Sequence, residues 1–444
     1  MRISTPTPYR NRERGSTLLL SLVVLAGLVA ILASLAANQH AMVKAQINRE
    51  ERARAKMAAD SGIQLAMATL AQITVPGQAA TTPTATPASS VNTTGATLLS
   101  DDWATLGQNG DEHFLVGPIS FRLQIVDGCS LLNINNATTA MLNLLPFQQD
   151  EIAAITDFRS GGNTPSALGA KDEYYNNLQQ PYNTKEAPFE TFDELLQVRG
   201  LTPKLLYEPR TDVQSSNPTP TDINGNQMAL SQLFTTISNS PQLRPNGQPK
   251  INANTASQAQ LRQLGLSAGV VNTIAPTNGR RPTYATMGQL MNLPGETQND
   301  RSLVLTNLSA DGATTKSGRI NINTASQAVL QSLPGVSTSA AAAIVQQQSS
   351  GFTTLGQIAT TAGVNAGTLA QIADLITASS STFIIRVIGT AGSTSIPIEA
   401  IVNMQNGTPH IVLEQEQPFP VNQMITRWTW NTDTNTDTVL KDNS

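Results

Sequence analysis

The chain opens on a sharp change of pattern. A leader carrying Arg2, Arg10, Arg12 and Arg14 gives way at Gly15 to a run without formal charge from Ser16 to Val43. Its apolar core, Leu18 to Ala37, has about the ~20 residues that a bilayer-spanning helix requires. Polarity then rises with no loss of helical character. Asn38 to Gln72 is rich in Ala and Met, contains no Pro, and places Glu50/Arg54 and Lys56/Asp60 at the i, i+4 spacing that supports an exposed helix face. Span and extension together predict one helix of roughly 55 residues, about 80 Å long at 1.5 Å per residue, ended by Val75-Pro76-Gly77. A secretory signal peptide would be shorter and would end in a small-residue cleavage site, so the run reads as a retained membrane anchor.

The Thr, Ala, Pro and Ser stretch that follows, to about Thr97, has too few large apolar groups to pack and reads as a low-complexity linker within 73–100. The period then changes to two. Ile119, Phe121, Leu123 and Ile125 alternate with polar residues between Gly117 and Asp127 and predict a strand. The pattern returns in Thr382–Gly389 and Pro397–Met404, with Gly392-Ser393 between them as the turn of a hairpin. The β part is therefore split into 101–130 and 379–415, and the fold class is α+β.

The region between, 131–378, carries an internal repeat. Leu132-Asn133-Ile134-Asn135-Asn136-Ala137, Ile251-Asn252-Ala253-Asn254-Thr255-Ala256 and Ile320-Asn321-Ile322-Asn323-Thr324-Ala325 align without a gap. Beyond them Ala140, Leu142 and Leu145 match Ala259, Leu261 and Leu264, and also Ala328, Leu330 and Leu333. The pattern predicts a short capped helix in each copy, with Thr255/Gln258 and Thr324/Gln327 as capping boxes. In the third copy Leu333-Pro334-Gly335-Val336-Ser337 leads into Ala340–Val345, which looks like a helix-hairpin-helix motif. Companion units follow at Phe189–Gly200, Tyr284–Gly295 and Phe352–Ile358. The region reads as an all-helical insertion of paired short helices.

Composition narrows the chemistry. Only 13% of residues are charged and the net charge is −4, so no general affinity for polyanions is visible. The single Cys129 forms no intrachain disulfide, and His40, His113 and His410 lie too far apart for metal-ligand or triad spacing. The chain reads as no enzyme, without a cofactor. Ca²⁺ is not legible from carboxylates such as Asp172 and Glu173. Helix-hairpin-helix modules bind DNA in many proteins, but phosphate binding draws its strength from Lys and Arg, and Ile320–Thr377 has neither. Nucleic acid is therefore disfavoured as a partner.

The joint Arg14-Gly15-Ser16 resembles the class III signal of type IV pilins and pseudopilins, in which a prepilin peptidase cuts after the Gly on the cytoplasmic side. The alternative is an uncleaved signal anchor in which Gly15 is incidental. The resemblance makes 1–15 the leader, Ser16 the new N-terminus and a site of methylation, and 16–72 the transmembrane and stalk helix. Most pilins carry Glu at the fifth mature position; here it is Leu20. With the split sheet and the Asn-rich insertion, this order resembles the minor pseudopilin K family of type II secretion. That resemblance implies a pilin-like sheet domain and a place at the tip of a pseudopilus. It implies as partners the other minor pseudopilins, the major pseudopilin, the peptidase, the inner-membrane secretion platform and the lipid bilayer. It also implies a single-pass inner-membrane location with the large domain periplasmic. Three Asn-rich copies are one more than it implies, the extra one lying around Ile251–Gly295, and the tail 416–444 has no counterpart in it. The competing reading is a membrane-tethered DNA-binding protein of a competence or type IV pilus system.

Overall fold

A computed structural model of the chain describes residues 16–73, 95–210, 219–222, 224–430 and 436–439. The first element is a helix of 55 residues, Ser16–Leu70. Its first half is exposed, and its second half buries one stripe: Ala55, Ala58, Ala59, Ile63, Ala66 and Leu70. The i, i+3/i+4 spacing of these residues gathers them on one side, where they meet Phe121, Leu123, Phe383, Ile385 and Val387 of a sheet.

That sheet has six strands: β1 (Glu112–Val116), β2 (Ile119–Asp127), β3 (Thr382–Ala391), β4 (Thr394–Gln405), β5 (Thr408–Glu416) and β6 (Thr436–Val439). Their spatial order is β5-β4-β3-β2-β1-β6, antiparallel except where β6 lies parallel to β1. The predicted hairpin is present, with Ile385 opposite Ala400 on one side and opposite Ile125 on the other. Alternation along β3 explains its central place. Phe383, Ile385 and Val387 face the long helix, while Ile384 and Ile388 face the other way, into separate clusters. Both faces of β3 are covered, which is why it reads as a nearly continuous apolar run.

The tail is not an appendage. Val421–Arg427 is helical, and Trp428 and Trp430 pack with Met424 against Ile388 on the face away from the long helix. Trp430 Nε1 donates to Gln124 Oε1 at 3.0 Å, and the Arg122 guanidinium lies 5.1 Å from the Trp430 ring. Strand β5 also lies beyond the expected hairpin.

Between β2 and β3 sit three units, each opened by a two-residue strand and closed by another that pairs with it in parallel. The pairs are Leu132–Asn133 with Phe234–Thr235, Ile251–Asn252 with Leu308–Ser309, and Ile320–Asn321 with Ile376–Thr377. The insertion is thus helical but not all-helical. A further ladder joins Asn239–Pro241 to Thr315–Ser317. The hairpins follow the openings: Thr139–Leu142 and Gln149–Arg159, Gln258–Gln263 and Ala268–Ile274, Gln327–Gln331 and Thr338–Gln348. One continuous core runs through all three units.

The expected capping boxes lie two residues too early. The N-caps are Thr138, Ser257 and Ser326, and the box in the second unit pairs Ser257 with Gln260. The reason is the first Asn of each copy. Its side chain accepts from the amide two residues on, an Asx turn that holds the chain in a turn before the helix can begin.

Candidate assembly surface and the junctions behind it

The long helix offers two different surfaces. From Leu18 to Val43 it is uncharged and bare, and its apolar part, Leu18 to Ala37, is long enough to cross a membrane. Leu20 is 69% exposed there, and no charged residue occurs between it and Lys44. An ionised carboxylate in its place would have no partner on this stretch of helix. Ser16 is the first residue of the helix, and Gly15 lies outside the described residues.

Where the sheet begins, polar contacts replace apolar ones. Glu51 accepts from Ser393 N at 3.2 Å, Ser393 Oγ at 2.9 Å and Thr394 Oγ1 at 3.1 Å, so it pins the helix to the β3–β4 turn. The Ser393 and Thr394 hydroxyls, with the Ser393 amide, hold its carboxyl below the usual range. The next residue, Arg52, pairs with Glu416 at the end of β5, at 2.5 Å. Beyond these, on the side away from the sheet, Ala53, Met57, Ser61, Gln64 and Ala68 stay exposed. Helix span and outer stripe are therefore continuous, and both are open to neighbours.

The insertion is fastened to the sheet by Asp127, the last residue of β2. It is buried, and its carboxylate accepts from Cys129 N (2.7 Å), Asn321 Nδ2 (2.8 Å), Thr324 Oγ1 (2.6 Å) and Ser380 Oγ (2.8 Å). Burial raises its pKa against the pull of those four donors. Cys129 is buried beside it, its thiol donating to Asn239 O at 3.2 Å and pushed well up by burial. The thiol is a packed group and not an available nucleophile.

Within the insertion the second Asn of each copy does the same work three times. Asn135 Nδ2 donates to Phe189 O and Thr236 O, and its Oδ1 accepts from Phe189 N. Asn254 repeats this with Tyr284 and Ala310, and Asn323 with Phe352 and Ala378. Each Asn therefore ties the start of its unit to the companion segment and to the end of its own closing strand. A second tie was not legible in the sequence. Arg159 donates to Ile134 O and Ala137 O, Arg281 to Ala253 O and Ala256 O, and Gln348 to Ile322 O and Ala325 O. The residue type changes and its distance along the chain from the Asn changes too, so no alignment of the repeats would have found it.

The extra copy packs as a full unit. The second and third units exchange equivalent elements. Met287–Met291 lies against Ala366–Ile372 of the third, and Leu355–Thr360 against Gln298–Asn307 of the second. Gly288 and Gly356 are the close points. A Cβ on Gly288 would stand 2.1 Å from Ala370 O, and one on Gly356 2.1 Å from Ser302 O. In the first unit the matching position is Asp193, which accepts instead from the Tyr207 hydroxyl.

The hairpin of the third unit turns at Gly335, whose φ of 73° favours glycine. Its segment, 315–377, holds two cations. Lys316 pairs with Asp311 at 2.6 Å, and Arg319 is buried with Nε on Asp374 O. The hairpin itself, 327–348, contains no Lys or Arg to hold phosphate. Asp172, weighed as a cation ligand, accepts from Thr184 N and Oγ1, and among the described residues no group of three or more His, Cys, Asp or Glu is gathered around a point.

Residues 133–209, the body of the first unit, match the family described as Type II secretion system (T2SS), protein K. Residues 315–377, the third unit, match the helix-hairpin-helix motif family. Among solved structures, a chain in the crystal structure of the GspK-GspI-GspJ complex from the enterotoxigenic Escherichia coli Type 2 Secretion System is similar over 84% of this chain and 99% of its own, at 12% identity and a TM-score of 0.41. No curated protein matches the chain.

Proposed function

We propose that this chain is a type II secretion protein K, the membrane-anchored minor pseudopilin at the tip of the secretion pseudopilus. It initiates and caps the filament in support of protein export across the outer membrane, and it performs no catalysis. The observation that carries this reading is the protein K domain at 133–209, set in an insertion of a sheet whose packing helix is bare over its first half. The bare half would sit in the inner membrane, with the large domain in the periplasm. The apolar span and the outer stripe of the helix would meet the other minor pseudopilins and the major pseudopilin. The prepilin peptidase would cut between Gly15 and Ser16, and the inner-membrane platform would supply subunits from below.

Leu20 fits the top of such a filament. Ionised groups deep in a bilayer cost at least ~2.5 kcal/mol unless paired, and a first subunit has no predecessor whose terminal amine could pair with a carboxylate. Leu20→Glu is expected to lower export of the system's substrates at unchanged protein level; full export by that variant would contradict the tip role. A membrane-tethered nucleic-acid receptor is the second reading, favoured by the helix-hairpin-helix match alone. A salt-sensitive gel shift of linear DNA by the full chain in detergent would support it, and the shortage of cations in 315–377, two in all with Lys316 paired to Asp311, predicts none.

A further inference from the structure

The exchange between the second and third units brings two equivalent cations to one place. Lys250 and Arg319 each stand directly before the opening strand of their unit, and each donates to a carbonyl near the end of that unit's last helix. Lys250 Nζ reaches Leu305 O at 2.6 Å and Arg319 Nε reaches Asp374 O at 3.2 Å. Both line a cavity of about 310 Å³ between these two units and the base of the sheet domain. Arg244 lines it as well, and among the described residues no Asp or Glu does; the remaining wall is rich in Thr and Ser, among them Thr97, Thr354 and Ser379.

Arg319 is 4% exposed, yet among the described residues its two terminal nitrogens have no hydrogen-bond partner. The nearby carboxylates are engaged elsewhere, Asp374 with the amides of Met287 and Gly288, and Asp311 with Lys316. The buried Arg319 and the half-buried Lys250 face a hydroxyl-lined space with no Asp or Glu among the described residues of its wall, an unbalanced arrangement, because a buried charge is costly unless it is paired. A guanidinium presents a fork that matches two oxygens of a carboxylate or phosphate, and a neighbouring ammonium adds a point charge. Burial together with Arg319 draws the Lys250 ammonium down to about 7, as expected where a counter-ion is lacking.

We propose that this cavity binds a small hydroxylated molecule through one oxyanion, phosphate or carboxylate, held between the Arg319 fork and the Lys250 ammonium. The test is calorimetric titration of the full chain in detergent with inorganic phosphate and, separately, with glucuronate, using glucose as the uncharged control. Saturable binding of either anion, with none of glucose, is expected, and the anion that binds identifies the source of the oxyanion. Arg319→Gln and Lys250→Met are each expected to weaken it by about tenfold or more, as the loss of a hydrogen bond to a charged group implies. Arg262→Gln, an exposed position in the helix Gln258–Gln263, should leave it unchanged. A melting curve on each variant shows which remain folded, and either folded variant decides the matter. Absence of saturation by both anions, or binding unaltered in the folded variants, overturns the proposal. So does a result in which no small anion binds but Arg319→Gln loses its hold on other minor pseudopilins, which would assign the cations to a partner's carboxylate.

Discussion

Gly389 sets how near the long helix can come to the sheet. A Cβ there would stand 2.1 Å from Ala55 O and 2.4 Å from Ala59 N, both backbone atoms that cannot swing aside. Gly389→Ala is expected to lower stability by about 1–3 kcal/mol, the usual cost of overpacking, measured by denaturant unfolding of the full chain in detergent. Asp127 is the opposite case, a polar residue that is needed inside. Asp127→Ala would strand the buried amides of Cys129 and Asn321 and the half-buried hydroxyls of Thr324 and Ser380, and should cost about 3 kcal/mol or more in the same measurement. Glu296 gives a pH signature. Burial lifts its pKa from 4.5 to about 7, with Arg301 beside it opposing the shift. A raised carboxyl pKa means the folded state holds a proton that the unfolded state has released, so stability falls as pH rises from about 4.5 through 7. Glu296→Gln should flatten the dependence of Tm on pH across that window and raise Tm at pH 8. Equal slopes for the two proteins would show that another group governs it.

At the level of elements, the repeat was legible because its most constrained residues are short, polar and local. An Asn that makes an Asx turn and then a second Asn that ties three backbone groups leave little freedom of residue type, and the same pair stands in all three copies. The companion segments at Phe189, Tyr284 and Phe352 were visible for the same reason, since each is the segment the second Asn holds. What could not be read was long-range. The two-residue parallel strands are too short for any periodicity, and the Arg159, Arg281 and Gln348 ties change in type. Helix starts were displaced by two residues because Ser257 and Ser326, not the preceding Thr, take the cap. Asn323→Ala should cost about 2–4 kcal/mol, since it removes two donors and one acceptor at a buried junction, and Asn254→Ala should behave alike. Hydrogen exchange would show the loss first at Phe352 in one variant and at Tyr284 in the other.

At the level of the whole molecule, the long helix and the split sheet were evident because period 3.6 and period 2 are strong over long stretches. The tail was not, because Trp428 and Trp430 take meaning only from Ile388 and Gln124, far away in sequence. The assembled picture is of a sheet gripping the second half of a helix whose first half is bare, with three linked units carried on the sheet's end through Asp127. That is the shape the proposed terminal subunit would need, adding to a filament through its helix while its bulk stands clear. The most direct test of that claim is gold labelling of an epitope at the C-terminus of the chain in cells that overproduce the pseudopilus. The account predicts one label per filament, at one end. Labels spaced along the shaft, or filaments of normal number and length without any label in cells lacking the chain, would contradict it.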